Sequence, residues 1–346
     1  MIHSCTMFAA AAGLLLALSG NAPAAETIPS PPARTPAATL QSGRTRVYLL
    51  GSQGGQQRTQ LAGANVRAGT SALVVVDGVG YLVDAGVGAL LRLNEAGFDA
   101  NVVRHIFITH HHQDHNADLG NMIGFSWTAG RSGSPDRRLD VWGPPGTKAY
   151  IRGYKISTAR SIADQQGPLK QKPSLDDYLR GHELQMRGDI RTAGVGVMSD
   201  ERVTVSAITV NHGSMPSVAY RLETPDLKIV FSGDRGDRGD ELARLAKSAD
   251  VLFHEISDLA LVKAVYEAQG APPSFIDHQL HDHASGELVG RTATDAGVPK
   301  LVLYHLVPGT PAISDERWRA MVSPHYAGEI VVGRICSTSR ERRRRA

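Results

Sequence analysis

The sequence predicts an α+β fold in which two β-sheets pack face to face beneath outer helices, a four-layer αββα sandwich. Strand-like runs precede helical stretches in the first half of the 346-residue chain. The second half repeats that plan without repeating the sequence, and two sheets whose apolar faces meet while helices cover the outside satisfy such an order. His and Asp also recur at the ends of the apolar runs, which would gather them at one rim.

With 42% hydrophobic and 21% charged residues the composition is ordinary, so the chain is long enough to bury a full core. A net charge of +3 is too small to argue for nucleic acid, and it does not argue against it, because local patches matter more than the sum.

Residues 1–25 read as a cleaved secretory signal, which places the mature protein in the periplasm or outside the cell. An apolar run over 8–18 leads to small residues that fit a cleavage site after Ala24 or Ala25, although residues 1–7 hold no Lys or Arg. A membrane anchor or a misassigned start stays open. No later stretch reaches about twenty apolar residues, so no stable span is expected after cleavage. Cleavage would remove Cys5 and leave Cys336 unable to form an internal disulfide, a small apolar residue at a strand end. Residues 26–44 form a Pro- and Ala-rich linker, 45–336 a single domain, and 337–346 a basic tail.

Residues 47–50 are a first strand, followed by a Gly-rich loop over 51–55 that is read chiefly as a turn. Residues 72–84 form a hairpin, and Asp84 at its end has two readings: orienting a ligand His through the second ring N–H, or capping the next helix. A helix over 89–96 ends at Gly97. The strand 104–109 follows, with His105 packed inside it.

That strand delivers Thr109-His110-His111-His112-Gln113-Asp114-His115. His110 and His112 are two apart, so in extended chain both rings face one side and can hold one ion. His111 alternates away and is not counted. Asp114 and His115 turn the other way at the loop's end, where a second ion could sit. Later strand-like runs end in His212, Asp234, Glu255 and His305. The ligand count then suits two ions: His110, His112 and His212 for one, Asp114, His115 and His305 for the other, with Asp234 between. The cofactors expected are two divalent metal ions, zinc by default from the donor mix, with manganese or iron able to bind similar donors.

Residues 127–194 are irregular and form a variable, substrate-binding segment: a strand over 139–142, a turn over 143–146, then mostly helix to about 184, with His182 a surface or partly packed residue. Strands follow over 203–210, 218–222 and 228–231. The alternating charges of 235–240 read as a solvated loop rather than an anion clamp, and His278 and His281 as loop residues ahead of a helix over 286–296.

The series His110-x-His112-x-Asp114-His115, then His212, Ser-Gly-Asp234 and a late His305 resembles the metallo-β-lactamase-fold hydrolase superfamily. Phe253-His254-Glu255 and His283-Ala284-Ser285 are similar to the His-Glu-Ala-Thr and His-Ser-Thr boxes of its ribonuclease Z and arylsulfatase-like branch. The resemblance implies an αββα sandwich of the metallo-β-lactamase type and a binuclear hydrolase of phosphodiester or aryl sulfate esters working through a metal-bridging hydroxide. Asp114, Glu255 and His283 would be its catalytic residues, with Glu255 holding His283 protonated as the leaving-group acid. The partner expected is a small-molecule ester. Nucleic acid is not expected, since 127–194 shows no Gly/Pro-rich counterpart of the arm with which ribonuclease Z grips tRNA, and export would separate the protein from tRNA processing. A homo-oligomer is left open. Two other readings are a lactonase or β-lactamase of the same fold and a metal-free, noncatalytic binding protein.

Overall fold

The structure is a computed structural model that describes residues 39–55, 67–129, 137–191, 194–236, 239–310 and 313–334. The signal segment 1–25, residues 26–38 of the linker, Cys5, Cys336 and the tail 337–346 lie outside the described residues.

Fourteen strands among the described residues make two seven-stranded sheets. The first holds β1 (Leu40–Ser42), β2 (Thr45–Gly51), β3 (Ser71–Val76), β4 (Val79–Val83), β5 (Val103–Phe107), β6 (Leu139–Gly143) and β7 (Leu179–Glu183) in chain order. The second runs in reverse, from β14 (Glu329–Val332) through β13 (Lys300–Val307), β12 (Val251–Ser257), β11 (Lys228–Phe231), β10 (Ser217–Glu223) and β9 (Thr204–Val210) to β8 (Val195–Ser199). Each sheet is antiparallel on one side and parallel on the other, β4 to β7 in the first and β11 to β14 in the second. Strands buried on both faces are mostly apolar, and β12 and β13 are buried almost throughout, interrupted only by the polar residues they bring to the rim; the parallel connections carry the helices.

Eleven α-helices among the described residues complete the chain: α1 (Ala89–Glu95), α2 (Gln113–Asn116), α3 (Leu119–Ala129), α4 (Thr147–Ser157), α5 (Ala159–Gln166), α6 (Leu175–Tyr178), α7 (Glu241–Ala246), α8 (Leu259–Ala268), α9 (Pro273–His281), α10 (Gly286–Ala296) and α11 (Asp315–Val322). Three apolar clusters define the four layers. Between the sheets, Val47, Val74 and Phe107 of the first meet Tyr220, Phe231 and Phe253 of the second. Leu93, Leu119 and Met122 cover the first sheet's outer face, and Leu242, Val289 and Trp318 cover that of the second. Each such side chain stabilises the fold by roughly 1.5–3 kcal/mol when taken fully from water.

The sandwich is as expected, and several elements differ from expectation. The sheet begins before Thr45, because β1 pairs antiparallel with β2. Residues 179–183 are a strand and not helix: β7 is the last strand of its sheet and pairs parallel with β6. Asp114 and His115 lie on the one-turn helix α2 rather than in a loop, and His278 and His281 lie on α9, which Pro273 starts.

Candidate metal centre

The parallel strands of both sheets end at one rim, where the chain leaves strand geometry and releases its polar side chains. From β5 the chain extends through His110 and His112 before α2 turns Asp114 and His115 inward. Asp234 follows β11, and Glu255 lies within β12. His305 reaches the rim through an irregularity: β12 and β13 slip register between Glu255 and Ile256, opposite Tyr304 and Leu306, leaving His305 as the extra residue at φ +45°. A bulge of this kind re-aims a side chain.

Two groups of donor atoms that share no residue result, each with its atoms within 4.8 Å of one another: His110, His112 and His212, and Asp114, His115, Asp234 and His305; a third, Asp234, Glu255, His283 and His305, overlaps the second. In the first, His112 Nδ1 lies 3.1 Å from His110 Nε2 and 3.2 Å from His212 Nε2. In the second, His305 Nε2 lies 3.1 Å from both Asp114 Oδ2 and Asp234 Oδ2. The same Asp234 oxygen is 3.7 Å from His110 Nε2 and 3.8 Å from His212 Nε2, so the carboxylate stands between the groups. All seven residues that the sequence singled out as ligands are therefore brought together. The fit to cations is direct. His115 Nε2 and Asp234 Oδ1 are buried and face each other at 3.2 Å without a well-aligned hydrogen bond to any described residue. Such atoms are costly unless something binds them.

The surrounding residues fix which ring nitrogen faces inward. His115 Nδ1 lies 2.8 Å from Asp84 Oδ2, and Thr109 donates both its main-chain N–H and its hydroxyl to the same carboxylate. Asp84 thus orients a ligand His, the first of its two readings; the cap position of α1 is Gly88. His212 Nδ1 donates to the Asp282 main-chain oxygen at 2.7 Å. Gly55 N–H donates to Asp114 Oδ2, and a Cβ on Gly54 would come 2.3 Å from His305 Cε1, so the loop over 51–55 closes on the centre because Gly54 carries no side chain.

Burial alone would lower the pKa of His115, but the charges of Asp234, Asp84 and Asp114 outweigh it and raise the value to about 10. His305 behaves alike: burial is outweighed by Asp234 and its bond to Asp114, and its pKa stands well above the ordinary value. In the other group, burial and the neighbouring His212 lower His112 to about 4.

Beside the centre, His283 Nδ1 lies 2.8 Å from Glu255 Oε2 and 3.9 Å from Asp234 Oδ2. Burial works against both charged forms and is outweighed by their mutual attraction, which raises His283 and lowers Glu255 to about 2. Both shifts favour the charged forms of the pair.

Of the remaining sequence readings, His111 indeed turns away, its Nε2 3.1 Å from Thr147 Oγ1. His105 packs against Tyr81, and His182 stacks on Trp142 with its Nε2 2.6 Å from Asp140. Arg235 overturns its reading as part of a solvated loop: it is buried, its main-chain N–H donates to Glu255 Oε1, and its guanidinium donates to the carbonyl of Gly239. His278 also departs from its reading, standing 6.1 Å, ring to ring, from His112. Position next to Asp234 was the one signal available for Arg235, and proximity to His283 the one for His278.

A family profile described as "Beta-lactamase superfamily domain" matches residues 80–306, a span that holds all seven ligand residues with Glu255 and His283. The chain belongs to the metallo-β-lactamase superfamily. Within it, "Ribonuclease Z" of Mycobacterium bovis (strain BCG / Pasteur 1173P2) is 30% identical over 272 residues, covering 77% of this chain and 90% of that protein. This superfamily chain is of the ribonuclease Z-like branch. Among solved structures, the metallo-β-lactamase fold protein YhfI from Bacillus subtilis aligns with TM-score 0.59 at 20% identity, over 84% of this chain and 97% of its own. Human tRNase Z, short form, aligns with TM-score 0.57 at 21% identity, over 84% and 96%. These two share the fold.

Proposed function

We propose that this metallo-β-lactamase-fold hydrolase is a binuclear phosphodiesterase in which Glu255 and His283 protonate the departing alkoxide. The observation that carries the reading is the 2.8 Å contact between His283 Nδ1 and Glu255 Oε2 beside Asp234. His110, His112 and His212 would hold one ion, and Asp114, His115 and His305 the other, with Asp234 between them. Two divalent ions held there, zinc by donor type, would supply an activated water nucleophile and neutralise charge on the ester.

The chain's own groups do the rest. Asp84 and the Asp282 carbonyl hold His115 and His212 with Nε2 inward. Glu255 keeps a proton on His283 Nδ1 and stabilises the imidazolium, whose Nε2–H can be given to the leaving oxygen. Arg235 fixes Glu255 through its main-chain N–H. A carbonyl ester or β-lactam gives such an acid less to do than a poor alkoxide leaving group.

The relative named Ribonuclease Z favours phosphorus as the atom attacked, and it returns RNA to the set of candidate substrates. Aryl sulfate remains the second reading, on the same acid pair. Export is proposed from residues 1–25, with 45–336 as the single catalytic domain and 127–194 as the segment that contacts substrate. The test is initial rates of metal-loaded protein on bis(p-nitrophenyl) phosphate, p-nitrophenyl sulfate, a lactone and a β-lactam. Preference for the phosphodiester is expected; turnover of the lactone or β-lactam alone would remove the acid role of Glu255 and His283.

A further inference from the structure

One imidazole beside the centre belongs neither to the ligand groups nor to the acid pair. His278, on the last turn of α9, has its ring centroid 6.1 Å from that of His112, 5.7 Å from that of His212 and 6.3 Å from that of His283. Its Nδ1 lies 2.6 Å from Asp282 Oδ2. A carboxylate only accepts, so the ring hydrogen is on Nδ1, and in the neutral ring Nε2 is a lone-pair acceptor.

Asp282 ties this ring to the metal centre. Its main-chain oxygen accepts from His212 Nδ1 at 2.7 Å while its carboxylate holds His278. The contact is close: a Cβ on Gly213 would come 2.4 Å from Asp282 Oδ2. One residue therefore aims both a ligand and its outer neighbour.

The rings around the centre differ in exposure. The side chains of His110, His115, His212 and His305 are at most 1% exposed and that of His283 is 7%. His278 is 34% exposed, and His112 is half-buried. Of these rings, His278 and His112 are the most open to solvent.

We infer that His278 is a substrate-contacting specificity residue whose Nε2 accepts a hydrogen bond from a hydroxyl on the ester's organic group, selecting esters of hydroxyl-bearing alcohols such as sugars or nucleosides. The inference rests on the proposed phosphodiesterase reading. A fixed acceptor beside the centre discriminates against the analogue that lacks the donor, by about tenfold for one net hydrogen bond.

The test uses metal-loaded full-length protein and two probes, the p-nitrophenyl phosphodiesters of uridine and of 2′,3′-dideoxyuridine, each esterified at the 5′ oxygen. The wild type is expected to favour the uridine ester in kcat/KM by about tenfold. His278→Phe keeps a ring on the helix and removes the acceptor, so it should abolish the preference while retaining both metal ions. Asp282→Asn leaves the main-chain oxygen on His212 and loosens only the hold on His278; it should reduce the preference with metal retained. No preference in the wild type, a preference that survives in His278→Phe, or loss of metal from His278→Phe would each overturn the assignment. If neither ester is hydrolysed, the phosphodiesterase reading has failed. Calorimetric binding of uridine 5′-phosphate against its dideoxy analogue to wild type and His278→Phe then reads the same contact without turnover, with the same outcomes for and against.

Discussion

Replacing Asp84 by Asn should detach one ion and not the other. Asp84 is fully buried, and its carboxylate takes three hydrogen bonds: the Thr109 N–H at 2.8 Å, the Thr109 hydroxyl at 2.9 Å and His115 Nδ1 at 2.8 Å. Asn preserves the volume and tolerates the left-handed φ of +57°. Its amide has one oxygen for the Thr109 N–H, so the NH₂ faces the hydroxyl and the imidazole. Thr109 can rotate to accept. His115 can accept only by moving its hydrogen to Nε2, the atom that would face the ion. The loss of a hydrogen bond to a charged group is about 1.5–3 kcal/mol, and removing an outer partner of a ligand His typically weakens metal binding about 10- to 100-fold. The assay is competition with a chromophoric zinc chelator, which resolves two binding steps. One step should be weakened by that factor and the other, at His110, His112 and His212, little changed. Equal weakening of both steps, or of neither, would refute the orienting role given to Asp84.

Two further expectations follow from the same geometry. His283→Ala should keep both ions and lose turnover chiefly on esters with poor leaving groups, by about 10²- to 10⁴-fold; in the wild type, activity on those esters should fall as pH rises through the elevated pKa of His283. Metal loss, or equal slowing on all leaving groups, would contradict the acid role. Without metal, His115 and His305 hold protons at neutral pH because Asp234 and its neighbours raise both pKa values, that of His115 to about 10. Ligation needs neutral rings, so metal uptake at pH 7 should release about two protons and tighten up to about a hundredfold per pH unit, a gain that ends as pH passes the raised values. Calorimetry in buffers of different ionisation enthalpy counts those protons, and a count of zero would contradict the assignment.

The centre was largely legible in the sequence, because ligand residues sit where apolar strand runs stop, and strand ends of one sandwich share a rim. The less legible parts depend on partners distant in the chain. Leu179–Glu183 does not alternate and follows the helical turn of α6; only pairing with β6 makes it a strand. Asp84 could cap or orient until the position of His115 decided between them. Arg235 lies in a Gly- and charge-rich stretch whose composition signals solvent, yet its main-chain bond to Glu255 draws it inside. His278 sits among Asp and His residues of low helix propensity, and it is Pro273 at the helix start and Asp282 at its end that place the ring beside the centre.

The central claim is that two ions, held by the seven ligand residues, perform the hydrolysis together. Titrating metal-free protein with zinc while following bis(p-nitrophenyl) phosphate hydrolysis tests it most directly. Activity is expected to appear with the second equivalent of bound metal and to be absent at the first. Full activity with one equivalent, or a folded protein that binds no metal, would contradict it.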